Sequence, residues 1–269
     1  MVLALIGFSL TAFTVILLTI FYTAMPKMLL QSENRCLDKQ LDVVQGLLDM
    51  AKHTTYVMAD DIAIWDETVR FTNGENTDYI SNNWPDVTML QSYRFNFVVI
   101  RDLDGNVLHQ DFYDYAESRP LDAPEGFVQY LDKISNEVLD MYKKPHNPNA
   151  PVEELGKGGI IFYNQVPYFA AAMPIMATRG AGSPSGTVIM GNILSNEYFR
   201  NLTHYETLNF EITPSDAPLQ ATHARIKHDG LDMVSTTLPL KDIEGNTVLL
   251  RMSDSRVIYL EGMRVITQT

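Results

Sequence analysis

The sequence predicts an α+β chain: an N-terminal transmembrane helix that continues into a long stalk helix, followed by antiparallel sheet modules, two of them by the turn signals. Three observations predict it. Met1 to Pro26 contain no Asp, Glu, Lys, Arg or His, and no comparable stretch recurs before Thr269. Behind that segment Leu30, Leu37, Val44, Ala51 and Met58 stand seven residues apart. Beyond Trp84 the apolar period changes to short β-rich runs separated by Asp, Gly and Asn, the composition of strands and turns.

The apolar start can span a bilayer. From Val2 to Thr23 a helix is roughly 33 Å long, against a hydrocarbon core of about 30 Å. A cleaved signal peptide would have a shorter apolar region, a basic start and a small-x-small site, and a buried core helix rarely runs so far without a charge. Residues 1–25 therefore read as an uncleaved anchor. Lys27 and Arg35 alone would leave the large domain in the cytoplasm, but long domains cross largely regardless of flanking charge. The composition of the remainder supports export, so the expected location is the cell inner membrane with the bulk of the chain periplasmic or extracellular. Lys plus Arg is 20 against Asp plus Glu 33, a net charge of −13, which argues against nucleic acid as a partner. The single cysteine, Cys36, leaves no internal disulfide.

Residues 26–72 read as the stalk. Leu41, Leu48 and Ile62 complete the heptad seam, and a continuous helix from Leu30 to Ile62 reaches roughly 50 Å. Asn34 and Thr55 interrupt the seam, and Gly46 weakens its middle. The expectation is intrachain packing for the distal half and contact with the same helix of a second chain, a homodimer, near the membrane. Cys36 falls beside that seam.

Further on, Phe95 to Ile100 reads as a strand, Asp102-Leu103-Asp104-Gly105-Asn106 as a turn, and Val107 to His109 as the returning strand. Pro124 to Lys144 is a helix by the spacing of Phe127, Tyr130, Leu131, Ile134, Val138 and Met141, stopped at Pro145-His146-Asn147-Pro148. Strands follow at Gly159 to Tyr163, Tyr168 to Ala177 and Thr187 to Leu194, with Arg179 to Gly186 as a hairpin connection. Asp242-Ile243-Glu244-Gly245-Asn246 echoes the first turn, between strands at Leu208 to Thr213 and Met233 to Leu240. This organises the chain into a membrane-distal module at 73–203, a smaller membrane-proximal module at 204–260, and 261–269 as the lead-in to a second membrane helix absent from these residues. A single irregular domain with a C-terminal extension is the alternative.

Chemistry is sparse. The loop Gly182 to Gly186 places Pro184 where a nucleophile elbow requires Ser, and Gly180 to Ser185 lacks the third glycine of a dinucleotide loop. The six histidines show no i, i+4 pair, and Asp102 and Asp104 lack the later ligands of a calcium loop. No catalytic residue, metal or cofactor is expected. In Met58 to Phe71, Asp61, Trp65 and Thr68 share one helical face, so a carboxylate and an indole could project together toward the adjoining sheet.

The segment Asp60-Asp-Ile-Ala-Ile-Trp-Asp-Glu-Thr-Val-Arg-Phe71 resembles the signature DWAxWDDxYxF of the fourth type of CHASE domain, an extracytoplasmic sensory module of bacterial and archaeal receptors. The similarity continues through Asp78-Tyr79-Ile80, Phe97 to Gly105, Val166 to Ile175 and Gly186 to Gly191, and the segment Asp254 to Gly262 looks like the one that precedes the second membrane helix of such receptors. Ile62 and Val69 depart from the pattern, which usually has Trp and an aromatic there. The resemblance implies PAS-like or Cache-like antiparallel modules, double-Cache-like in arrangement, carried on a long helix and coupled to a histidine kinase or diguanylate cyclase output outside this chain. The expected function is the ligand-sensing region of a membrane receptor, itself no enzyme, that binds a small molecule. The candidate ligand-binding residues are Asp61, Trp65, Asp66, Tyr79, Tyr93, Arg94, Asp102, Tyr163, Tyr168 and Met173. A membrane-anchored periplasmic hydrolase and a protein-binding scaffold are the alternatives.

Overall fold

The computed structural model describes residues 2–84, 86–144, 147, 149–177, 181–215, 227–229 and 232–268. Pro85, Pro145, His146, Pro148, Arg179, Gly180 and His223 lie outside them, so the expected helix stop and hairpin connection are described only in part.

One helix, α1 (Val2–Ala63), joins the span to the stalk without a break. Its 62 residues make it about 93 Å long. Pro26 lies inside it. The apolar side chains from Ile6 to Tyr22 are largely uncovered by protein, as a lipid-facing surface requires. Thr11, Thr14, Thr19 and Thr23 each donate a hydroxyl hydrogen bond to the carbonyl four residues earlier, at 2.5–2.9 Å, so these hydroxyls carry their own acceptors into an apolar medium.

Two sheets flank the stalk. The first has six antiparallel strands: β1 (Phe97–Asp102), β2 (Val107–Asp114), β3 (Arg119–Pro120), β4 (Lys157–Tyr163), β5 (Val166–Ala177) and β6 (Ala181–Ile193), in the order β3-β2-β1-β6-β5-β4. Its central strands β1 and β5 are buried on both faces, which is why they read as continuous apolar runs rather than alternations. Val98, Ile100, Ala171, Met173, Val188 and Met190 face the distal part of α1. Phe97, Val99, Ala170, Ala172 and Ile189 face α5 (Phe127–Tyr130) and α6 (Asp132–Met141). Buried Arg101 fastens that second layer by donating to Asp132 and to the Val128 carbonyl.

The second sheet has β7 (Asn209–Pro214), β8 (Lys227–Asp229), β9 (Met233–Lys241) and β10 (Thr247–Ser255), in the order β7-β10-β9-β8. Phe210, Ile212, Leu250 and Met252 join Leu37, Leu41, Val44 and Leu48 in one core. This corrects the expected use of the stalk: the seam is filled by the chain's own second sheet as far toward the membrane as Leu37. Thr55 sits in the seam fully covered, its hydroxyl donating to the Ala51 carbonyl at 2.9 Å.

The echoed turns are built alike. Asp102 Oδ1 accepts the backbone N–H groups of Asp104 and Asn106 and its Oδ2 accepts Asn106 Nδ2; Asp242 does the same for Glu244 and Asn246. Gly105 and Gly245 take the left-handed φ, 83° and 88°, that closes each turn. The second turn also docks the two sheets, because Ile243 N–H donates to the Ile160 carbonyl on β4 at 2.9 Å and Lys133 pairs with Glu244.

At the membrane end, α9 (Val257–Gln268) packs along α1. Arg256, which precedes α9, donates from Nε to Glu33 Oε2 at 3.0 Å, both side chains being about 93% covered. The Arg256 guanidinium also lies over Tyr259, 4.0 Å from the ring centre.

Candidate functional site

The ten expected site residues fall in five places. The helix carrying Asp61, Trp65 and Thr68 on one face ends at Ala63; Trp65 is extended (φ −140°, ψ 128°) and starts α2 (Asp66–Thr72). That break turns the corner inward. Tyr79 is fully buried, its ring stacked on Phe71 at 4.7 Å and tilted to Trp65 at 5.8 Å. Thr68 donates to the Ile62 carbonyl at 2.7 Å and meets the Tyr79 hydroxyl at 2.8 Å. Asp61 and Asp66 are exposed, and Trp65 is 39% exposed at the edge of this filled corner.

Asp102 spends its carboxylate on the β1–β2 turn. Tyr163 and Tyr168 belong to an aromatic cluster on the α5 face, with Phe127 5.3 Å and 4.5 Å from their rings, and the Tyr163 hydroxyl donates to the Glu125 carbonyl. Met173 is fully buried on the opposite face, toward α1.

Tyr93 and Arg94 reach a cavity. It has a volume of about 550 Å³ and lies where β6 leaves the first sheet for α8 (Asn196–Thr203), at the waist between the sheets. That size suits a small organic ligand. Its walls come from four directions: Met50, Ala51 and Thr54 on α1; Tyr93 to Asn96 ahead of β1; Asp114 to Ala116 at the end of β2; and Asn192 to Leu202 from β6 into α8. The antiparallel pairing of β1 with β6, Phe97 opposite Gly191, brings the second and fourth walls together.

Hydrogen bonding within the walls is one-sided. Asn192, 5% exposed, accepts the Asn96 backbone N–H on Oδ1 at 3.2 Å. Asn96 Oδ1 takes the Ile193 N–H at 3.0 Å and its Nδ2 donates to the Tyr113 carbonyl at 2.9 Å. Asn196 Oδ1 takes the Phe210 N–H, and Ser195 caps α8 by accepting the Tyr198 N–H at 3.1 Å. Burial pushes the Tyr198 phenol up to about 12. Tyr115 is also pushed up to about 12, by burial and then by Tyr113, with Arg94 opposing. Both hydroxyls stay protonated near neutrality, and Tyr115 donates to the Leu90 carbonyl at 2.6 Å.

Sequence reasoning missed Asn96, Tyr115, Asn192, Ser195, Tyr198 and Leu202. Only the helix start was legible there, in Ser195 followed by Glu197 in the first turn. That this start faces the Tyr93–Arg94 corner follows from strand pairing, which no local pattern encodes.

Comparison with known proteins fits this architecture. The CHASE4 domain family matches residues 48–213. The methanogenesis regulatory histidine kinase FilI of Methanothrix harundinacea (strain 6Ac) is 24% identical over 215 residues, 77% of this chain; the match spans 23% of the length of that relative. Among solved structures, the extracellular domain of the putative histidine kinase vpHK1S-Z8 has a TM-score of 0.56 at 12% identity, covering 87% of this chain and 98% of its own. A domain of a putative sensory box/GGDEF family protein from Vibrio parahaemolyticus gives 0.55 at 11% identity, with 86% and 98% covered. The periplasmic domain of Vibrio cholerae LuxQ gives 0.52 at 12%, with 81% and 99% covered. At such identities the likeness is one of fold, that of Cache-like and PAS-like sensor domains. With the family match extending over more than half of its residues, the chain belongs to the CHASE4 domain family and is a sensory domain of a signal-transduction receptor.

Proposed function

We propose that this chain is the extracytoplasmic ligand-sensing region of an inner-membrane receptor and that the waist cavity, rather than the Trp65 corner, holds the small molecule. The cavity carries the proposal: it is mostly apolar, and its walls come from both the distal sheet and the segment leading to the proximal one. A ligand bound there is positioned to bias the placement of α8 against α1, and it can do so only by its differential affinity for the two arrangements. In this reading residues 73–203 form the sensory module and 204–260 the coupling module. The Glu33–Arg256 pair ties that module to the stalk beside the membrane, and the output, a kinase or cyclase, lies outside these residues.

The receptor works as a homodimer in this proposal, through a row other than the filled seam. Cys36, Val43, Met50 and Val57, again seven apart, are exposed along α1. Two copies anchored in one membrane hold these rows parallel and level. Oxidation in membranes should link Cys36 to Cys36 and double the mass on denaturing gels; no linked species would refute this pairing.

The ligand site is tested by titrating the full chain in nanodiscs with amino acids, carboxylates and polyamines. A binder at 100 times its Kd stabilises the fold by about 2.7 kcal/mol. Ala116→Trp, which fills the cavity from an exposed turn, should abolish the melting shift, and a shift that survives it would place the site elsewhere.

A further inference from the structure

We propose that the stalk of a second copy is the missing wall of the waist cavity, and of a smaller cavity nearer the membrane, so that both are complete only in the dimer. This rests on the pairing of copies and on the cavity argued above. The basis is a second heptad stripe on α1. Cys36, Val43, Met50 and Val57 are joined by Gln40, Leu47 and Thr54, giving alternate steps of four and three residues, the spacing of a coiled-coil seam. No Asp, Glu, Lys, Arg or His falls on this stripe, although Arg35, Asp38, Lys39, Asp42, Asp49 and Lys52 crowd the same stretch of helix. Its side chains are exposed or partly exposed, whereas Leu37, Leu41, Val44 and Leu48 of the first seam are buried. Thr54 returns its hydroxyl to the Met50 carbonyl at 2.9 Å, so it asks no partner of a covering surface.

The stripe borders both cavities. Met50 and Thr54 belong to it and line the waist cavity. Cys36 and Gln40 belong to it and line a cavity of about 290 Å³ between α1, β9, β10 and α9, beside the Glu33–Arg256 pair. Roughly 21 Å of helix separates Cys36 from Met50. The rim of the waist cavity is made of exposed side chains, Met50 and Thr54 on α1, Tyr93, Ala116, and Glu197 and Asn201 on α8, so its mouth stands open beside the stripe.

A second copy of the same helix is the occupant that fits. Two copies anchored by α1 in one membrane stand parallel and level, so each residue of the stripe meets its own counterpart, which an uncharged row tolerates and a charged row would not. Sharing one bilayer raises the effective concentration, and a narrow contact then suffices. By its symmetry the contact covers the same mouths on both copies. A molecule held in a cavity shared in this way touches both stalks, so its binding and the stalk pairing are linked by one coupling free energy.

The test uses the full chain in nanodiscs holding one copy or two, in a Cys36→Ser background, and needs no ligand. Met50→Cys should link to its counterpart on oxidation. Ala116→Cys and Asn201→Cys, on two further walls of the waist cavity, should react with a polyethylene glycol maleimide about tenfold or more slowly in two-copy than in one-copy discs, the uncovered arrangement being populated at about 10% or less. Asp104→Cys, exposed on the β1–β2 turn, should react alike in both. Met50→Lys, a charge at an exposed position, should return Ala116→Cys and Asn201→Cys to the one-copy rate with native circular dichroism retained; protection that persists would overturn the stripe as the covering surface. Equal rates in one-copy and two-copy discs while Met50→Cys links would overturn the shared wall and leave the pairing standing. Failure of Met50→Cys to link would overturn the pairing, and the shared wall with it.

Discussion

Removing Arg256 should loosen the membrane end of the domain more than any surface substitution. Its Nε lies 3.0 Å from Glu33 Oε2 with both side chains about 93% covered, and its backbone N–H donates to the Asp232 carbonyl at 2.8 Å. Unit charges about 4 Å apart at an effective dielectric of 20 attract by about 4 kcal/mol. Deleting one partner of a buried pair costs about 3–5 kcal/mol, because the remaining charge loses its counterion while it stays desolvated. Arg256→Met also removes the cation over Tyr259, an interaction worth about 1 kcal/mol. For a fold of this size the loss lowers Tm by about 6–20 °C. The assay is thermal unfolding of the full chain in nanodiscs for Arg256→Met, Glu33→Leu and the double variant. The double variant should recover most of the loss, since two apolar residues replace the pair without a stranded charge. A single variant that melts within 2 °C of the parent, or a double variant whose loss equals the sum of the singles, would refute the account.

Gly159→Ala should undock the two sheets at the Ile243 turn contact. Its Cβ would stand 2.9 Å from the Ile243 Cα, backbone that cannot swing aside, so a loss of about 1–3 kcal/mol and faster amide exchange at Ile243 are expected; unchanged exchange there would refute the docking. Alkaline pH should unfold the domain early. Tyr56, Tyr115 and Tyr198 are each pushed up to about 12 from 10.0, chiefly by burial. Their contribution is intact below pH 10, where both states are protonated, and is lost as pH rises toward 12, because the unfolded chain ionises first. Tyr198→Phe should flatten part of that decline in Tm, and a decline as steep in Tyr198→Phe as in the parent would contradict it. Gly262→Leu should push α9 from α1, since even a Cβ there stands 2.6 Å from Leu29 Cδ1; an unchanged spin-label distance between α9 and the stalk would sink this reading.

Much of the architecture was legible because it is written in local patterns. The uncharged start, the seven-residue repeat and the Asp-x-x-Gly-Asn turns each follow from bilayer thickness, helical period or the hydrogen-bonding reach of one Asp side chain. The β1 and β5 runs read as strands because alternate residues there meet different apolar layers. The site was only partly legible. Tyr93 and Arg94 line the candidate cavity, whereas the helix expected to carry Trp65 breaks at Ile64, and the Tyr163 and Tyr168 rings pack against Phe127. An aromatic side chain suits either use, and sequence carries no sign of which space is left empty.

The sequence by itself determined that a bilayer-length apolar helix leads into a heptad stalk and two turn-bounded β regions, since those signals depend on neighbours a few residues away. Tertiary structure alone decided that the stalk seam is covered by the second sheet, that Glu33 meets Arg256 across the whole chain, and that Arg94, Asn192 and Tyr198 share a cavity. Those outcomes depend on strand order and on the balance of packing between distant segments, where burial energies are summed over the whole fold and no short stretch of residues records the result.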